Sequence, residues 1–95
     1  MFSRILTRIR KLLRERQYVM TLHAVEEMTD DELSLSEVED AVLRGEIVAR
    51  QRDLDTNEWK YRIEWGHIEV VVKIGPTGKL VFITVYRLNG DDTRR

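Results

Sequence analysis

Two short strings hold the residue types best suited to chemistry: Thr21-Leu22-His23-Ala24 and Thr84-Val85-Tyr86-Arg87. An imidazole near a helix start can accept or donate a proton, or meet a phosphate with help from the helix N-terminus. Equally, it can pack beside a sheet and hydrogen-bond a carbonyl. A tyrosine near a strand end can offer its hydroxyl to a ligand or stack on a base, or simply be a sheet aromatic with a wet tip. Strict alternation along the strand puts Tyr86 with Leu80, Phe82 and Thr84, and Arg87 on the other face with Val81, Ile83 and Val85. Lys60, Arg62 and Lys73 interleave with Trp59, Tyr61 and Trp65, as an RNA platform or an ordinary solvated sheet face would. His23 and His67 have no ligand pair at helical spacing, so no metal signature is present and no cofactor is expected.

The chain that must position these groups has 95 residues, room for one domain with a modest core. It has no cysteine, which fits a reducing cytoplasm. No apolar run approaches a membrane span, and the N-terminal stretch does not read as a signal peptide. The net charge of −1 conceals a polarised chain. Residues 1–20 carry six Lys/Arg against Glu15 alone, and residues 21–48 carry nine Asp/Glu against Arg44 alone. A polyanion would meet a basic start and an acidic second segment.

Phe2, Ile5, Leu6, Ile9, Leu12 and Leu13 make one helical stripe, so a first helix is predicted to about Arg16, followed by an extended connector over residues 17–20. Thr21 should cap a second helix reaching about Asp31, with Leu22, Val25 and Met28 inward and Ala24 as a further core-facing candidate. Ser34 and Ser36, each three residues before a glutamate, predict a capping box for a third. Val38, Ala41 and Val42 would be buried there, and Gly45 would end it in a left-handed turn. Beyond Gly45 the apolar period becomes two, predicting strands over 46–52, 59–65, 67–74 and 79–88. Such short connections require antiparallel neighbours. The expectation is an α+β domain over 1–95: a helical layer (1–45) on a four-stranded antiparallel sheet (46–88), with a polar tail (89–95).

These strings, with Met28, Ala41, the Gly45-Glu46-Ile47 step and Ile68-Glu69-Val70-Val71-Val72, resemble a bacterial family of unknown function. Its pattern runs Thr-x-His-Ala-x-x-Arg-Met, Gly-Glu-Ile, a Val-Val strand and a closing Thr-Val-Tyr, covering about Ile9 to Arg87. That family is similar to RelE/ParE-type toxins of toxin–antitoxin systems. The wider group includes metal-independent ribonucleases that cut ribosome-bound mRNA, and gyrase poisons. The resemblance implies a toxin-like fold, an antitoxin partner and RNA as a target. It makes His23, Tyr86 and Arg87 the catalytic candidates, and Lys73 joins them as a source of positive charge, with His23 handling the proton, Tyr86 orienting or stacking the substrate and the two cations steadying the phosphate. Lys60 and Arg62 are candidate RNA contacts. The chain departs from the pattern at Glu27 and Asp31, where arginines are expected, and carboxylates there would repel phosphate. Glu27 and Asp31 therefore also suggest a second function, a non-catalytic module that docks a basic partner on its acidic helical segment or extends a sheet edge.

Overall fold

The computed structural model describes residues 1–88; the predicted polar tail, 89–95, lies outside the described residues. Three helices, α1 (Ser3–Arg14), α2 (Leu22–Asp30) and α3 (Leu35–Arg44), accompany five strands. These are β1 (Tyr18–Met20), β2 (Glu46–Arg52), β3 (Trp59–Trp65), β4 (Ile68–Ile74) and β5 (Leu80–Arg87), in the spatial order β1-β5-β4-β3-β2. The sheet is mixed, not four-stranded and antiparallel. Residues 17–20, expected as a connector, contain β1, which runs parallel to β5 with Tyr18 opposite Leu80 and Met20 opposite Phe82. A three-residue strand is too short to show a period, and its partner lies about sixty residues away.

The capping signals act as expected at Thr21 and Ser34, while Ser36 lies inside α3 and is not its N-cap. Thr21 Oγ1 accepts from Ala24 N–H at 3.1 Å, and Ser34 with Glu37 forms a complete capping box. Helix ends follow a different logic. α1 and α2 close in Schellman geometry, with Arg16 (φ 59°) and Glu32 (φ 55°) in the left-handed region. Gln17 N–H reaches Leu12 O at 2.9 Å, and Leu33 N–H reaches Met28 O at 2.8 Å. Gly45, expected to be left-handed, is extended at φ −80°, ψ −177°. Its glycine identity comes from close approach, since a Cβ there would press into the carbonyl oxygens of Ala41 and Glu64. Arg10 from α1 completes that corner, donating to Val42 O at 3.0 Å and Gly45 O at 2.7 Å and so capping the C-terminus of α3.

The core joins Ile9 and Leu13 of α1, Ala24 of α2 and Val38, Ala41 and Val42 of α3 to Ile63, Val70, Val72, Leu80, Phe82 and Val85 of the sheet. Tyr18 meets Phe82 edge-on at 5.4 Å between ring centres. In α2 the inward residues are Ala24 and Met28, whereas Leu22 and Val25 are exposed. The helix lies against the β5 edge and presents a narrower face than its sequence suggests. Among the described residues, the helices cover one side of the sheet and leave the other open. No described helix is long and apolar enough to cross a membrane.

Candidate functional site

The open face of the sheet is built by Lys60, Arg62 and Glu64 from β3, Glu69, Val71 and Lys73 from β4, and Thr84 and Tyr86 from β5. Alternation fixes the β3 and β4 members. β5 does not alternate. Val71 pairs with Thr84 while Val72 pairs with Phe82, so Ile83 is an extra residue in a β-bulge. The bulge reverses the predicted faces beyond it. Val85 and Arg87 join Leu80 and Phe82 on the helix side, and Tyr86 turns to the open side opposite Glu69. A second bulge leaves Val48 extra in β2 and sets Ala49 opposite Arg62.

Charge on this face is graded along the strands. At one end Lys60 and Arg62 border a depression of about 370 Å³ with Ala49, Arg50, Gln51, Val71, Ile83 and Thr84. On the helix side of the same end, where Arg50 pairs with Tyr61 and Arg52 with Trp59, both guanidinium groups stack on the Trp59 ring, at 4.1 and 4.5 Å. At the other end Glu46, Glu64 and Glu69 occupy successive register positions on β2, β3 and β4.

Glu69 joins the two ends and was not singled out by the sequence. It is 3% exposed, a buried carboxylate on an otherwise wet face. Its Oε2 accepts the Tyr86 hydroxyl proton and lies 3.4 Å from Arg62 Nε, so the charge is paired as a buried charge must be. Burial and the neighbouring Glu69 carboxylate push the Tyr86 hydroxyl pKa up to about 12. The signal available in the sequence was one glutamate inside Ile68-Glu69-Val70-Val71-Val72.

The other candidates fall into separate sets. Lys73 bonds Glu58 Oε1 at 2.7 Å, two register positions along β4 from Val71. Arg87 donates its backbone N–H to Asp31 Oδ2 at 2.7 Å, and its guanidinium reaches Asp31 O at 3.3 Å and Glu32 O at 3.4 Å. It closes the C-terminus of α2, where a cation is favoured. His23 is exposed on α2 with Nε2 3.2 Å from Glu27 Oε1. That same oxygen accepts the Val85 N–H at 3.1 Å. Glu27 and Asp31 therefore serve as acceptors for alternate N–H groups on the outer edge of β5, where β1 has ended. They take the place of a further strand.

A family model described as a domain of unknown function, DUF4258, matches residues 20–87, a span that starts in β1 and ends with β5. The chain belongs to the DUF4258 family. No curated protein and no solved structure matches it. The DUF4258 region thus contains both opening strings, the bulge and the whole open face, while α1 lies outside it. Among the described residues, no three His, Asp or Glu side chains gather as a metal ion would need.

Proposed function

We propose that this DUF4258 chain is a toxin-like protein of the RelE/ParE type that binds RNA on the open face of its sheet and acts as an endoribonuclease of the metal-independent kind. The observation that supports this reading is the basic depression beside the Tyr86–Glu69–Arg62 cluster, on a sheet whose other face is covered by helices. Cations at a wet sheet surface next to a polar aromatic suit a single strand, whose phosphates need positive charge and whose sugars and bases need polar and stacking contacts. In this reading the phosphate grip passes from Lys73 and Arg87, which hold Glu58 and the end of α2, to Lys60 and Arg62. Tyr86 orients the substrate. His23, exposed beside the β5 edge, remains the proton-handling candidate. Glu27 and Asp31 keep their charge while accepting from the β5 backbone, but they lie on α2 and its C-terminus and not among the residues that line the depression.

Induced expression in a bacterial host is expected to arrest growth, with Arg62→Ala and His23→Ala each relieving the arrest at equal protein level. Unimpaired growth with intact soluble protein would overturn the toxin reading. A second reading, a non-catalytic module for a protein partner, is favoured by the outer edge of β2, beside which Val48 and Trp65 are 46% and 44% exposed. Strand addition there predicts that Val48→Lys abolishes capture of a partner while Arg62→Ala leaves it intact.

A further inference from the structure

The connection from β2 to β3 carries Asp53-Leu54-Asp55 at its tip. Leu54 is 90% exposed. A lone exposed leucine is ordinary on a protein surface; this one is set apart by its surroundings. Asp53 Oδ1 accepts from the N–H groups of Asp55 and Thr56, at 2.9 and 3.4 Å, and so fixes the turn that carries the leucine. Asp55 is exposed and has no ion pair among the described residues.

Beside this tip, on the helix side of the sheet, lies a notch of about 280 Å³ between α1 and the end of the sheet. Ile5, Trp59, Tyr61 and Ile74 give it apolar walls, and Arg8 stands among them. Arg50 and Arg52 stack on the Trp59 ring. The acid at the notch, Glu58, is neutralised by Lys73 at 2.7 Å. Arg52 donates to Asn57 Oδ1, yet neither it nor Arg8 nor Arg50 meets a carboxylate among the described residues. Tip and notch are thus opposite in kind: an apolar side chain between two carboxylates, and apolar walls under three guanidinium groups. The exposure of Leu54 shows that the tip does not fill its own notch. Because the two lie side by side, a two-fold axis next to them lets each copy fill the other's notch, the self-complementary arrangement that closes a dimer.

We propose that this chain pairs with a second copy of itself, Leu54 of each entering the notch of the other and Asp55 of one meeting Arg8 of the other. The contact is small beside the roughly 1,600 Å² of a standard interface, so the dimer is weak and reversible. The notch faces away from the open side of the sheet, and the inference stands apart from the RNA-binding reading.

The test is sedimentation equilibrium of the full chain in low salt, from about 10 μM to about 1 mM, the range of a weak association. Wild type should move from monomer toward dimer mass, with less dimer in high salt. Leu54→Ser should weaken association about tenfold or more by removing the apolar insert. Arg8→Glu and Asp55→Arg should each leave the chain monomeric, since each brings like charges together in both halves of the dimer. An equimolar mixture of those two variants should dimerise again, because the mixed pair has one native contact and one with its charges exchanged. Should Arg8→Glu fail to fold by circular dichroism, Leu54→Ser and Asp55→Arg decide the matter. A monomer at every concentration would overturn the inference. So would a dimer that survives Leu54→Ser, or folded charge-reversal variants that stay monomeric when mixed.

Discussion

Glu69 and Glu27 show how one residue type takes different jobs in this molecule. Glu69 is a buried charge satisfied by a phenol and a guanidinium. Glu27 is a half-buried acceptor for a strand-edge N–H and a histidine. Two predictions belong at this scale. Tyr86 has a folded pKa of about 12, above its ordinary value of 10.0. Its contribution to stability is therefore complete below about pH 10 and is lost as pH rises through the folded value. Ultraviolet titration should show one tyrosinate forming late, and Tyr86→Phe should remove that step. Glu27→Arg, which restores the residue of the family pattern, should cost roughly 1–3 kcal/mol in urea unfolding because the Val85 N–H loses its acceptor. Glu27→Gln keeps an acceptor oxygen and should lose less.

At the scale of elements, the β-bulge in β5 has the largest consequence. One extra residue at Ile83 exchanges the faces of Tyr86 and Arg87. It sends Tyr86 to the open side and Arg87 to the end of α2. Helix ends are governed by tertiary contact as much as by local signal. Gly45→Ala should destabilise by roughly 2–3 kcal/mol by chemical denaturation, since the added methyl meets backbone oxygens that have nowhere to move. Ser34→Ala should cost about 1 kcal/mol through loss of the capping box. The Glu37 carboxyl is held below its usual value by hydrogen bonds from the Ser34 backbone N–H and hydroxyl. That support is complete above about pH 4.5 and is lost as pH falls through the lowered folded value. The Ser34→Ala penalty should therefore shrink in acid.

For the whole molecule, the charge split of the sequence does not become a split between faces, since basic α1 and acidic α2–α3 share the helix side of the sheet. The acidic α2–α3 segment packs against the sheet and the β5 edge, while Lys60 and Arg62 border the depression on the open face, whose other end carries Glu46, Glu64 and Glu69. RNA affinity should fall with salt. Lys60→Ala and Arg62→Ala should each lower the slope of log K against log salt by about 0.7, the value for one phosphate contact on a single strand. Salt titrations of the two variants would check this, and unchanged slopes would place the phosphates elsewhere.

The sequence by itself determined the helix–helix–helix–strand order, the capping residues Thr21 and Ser34, the buried triplet Val38, Ala41 and Val42, and the alternating faces of β3 and β4. Each of these follows from short-range periodicity or from a side chain bonding its own helix. It also carried the family membership, since the DUF4258 model matches residues 20–87. Tertiary structure alone decided the rest. β1 depends on a distant partner, and the bulge at Ile83 depends on register with β4. The left-handed helix ends fall at Arg16 and Glu32, where no glycine announces them, while Gly45 is reserved for a backbone crossing. Glu27, Asp31 and Arg87 look in sequence like charges awaiting ligands, and Glu69 is one glutamate in an apolar strand. Their partners are a strand edge, a phenol and a helix terminus, contacts 17 to 58 residues apart that no local spacing encodes.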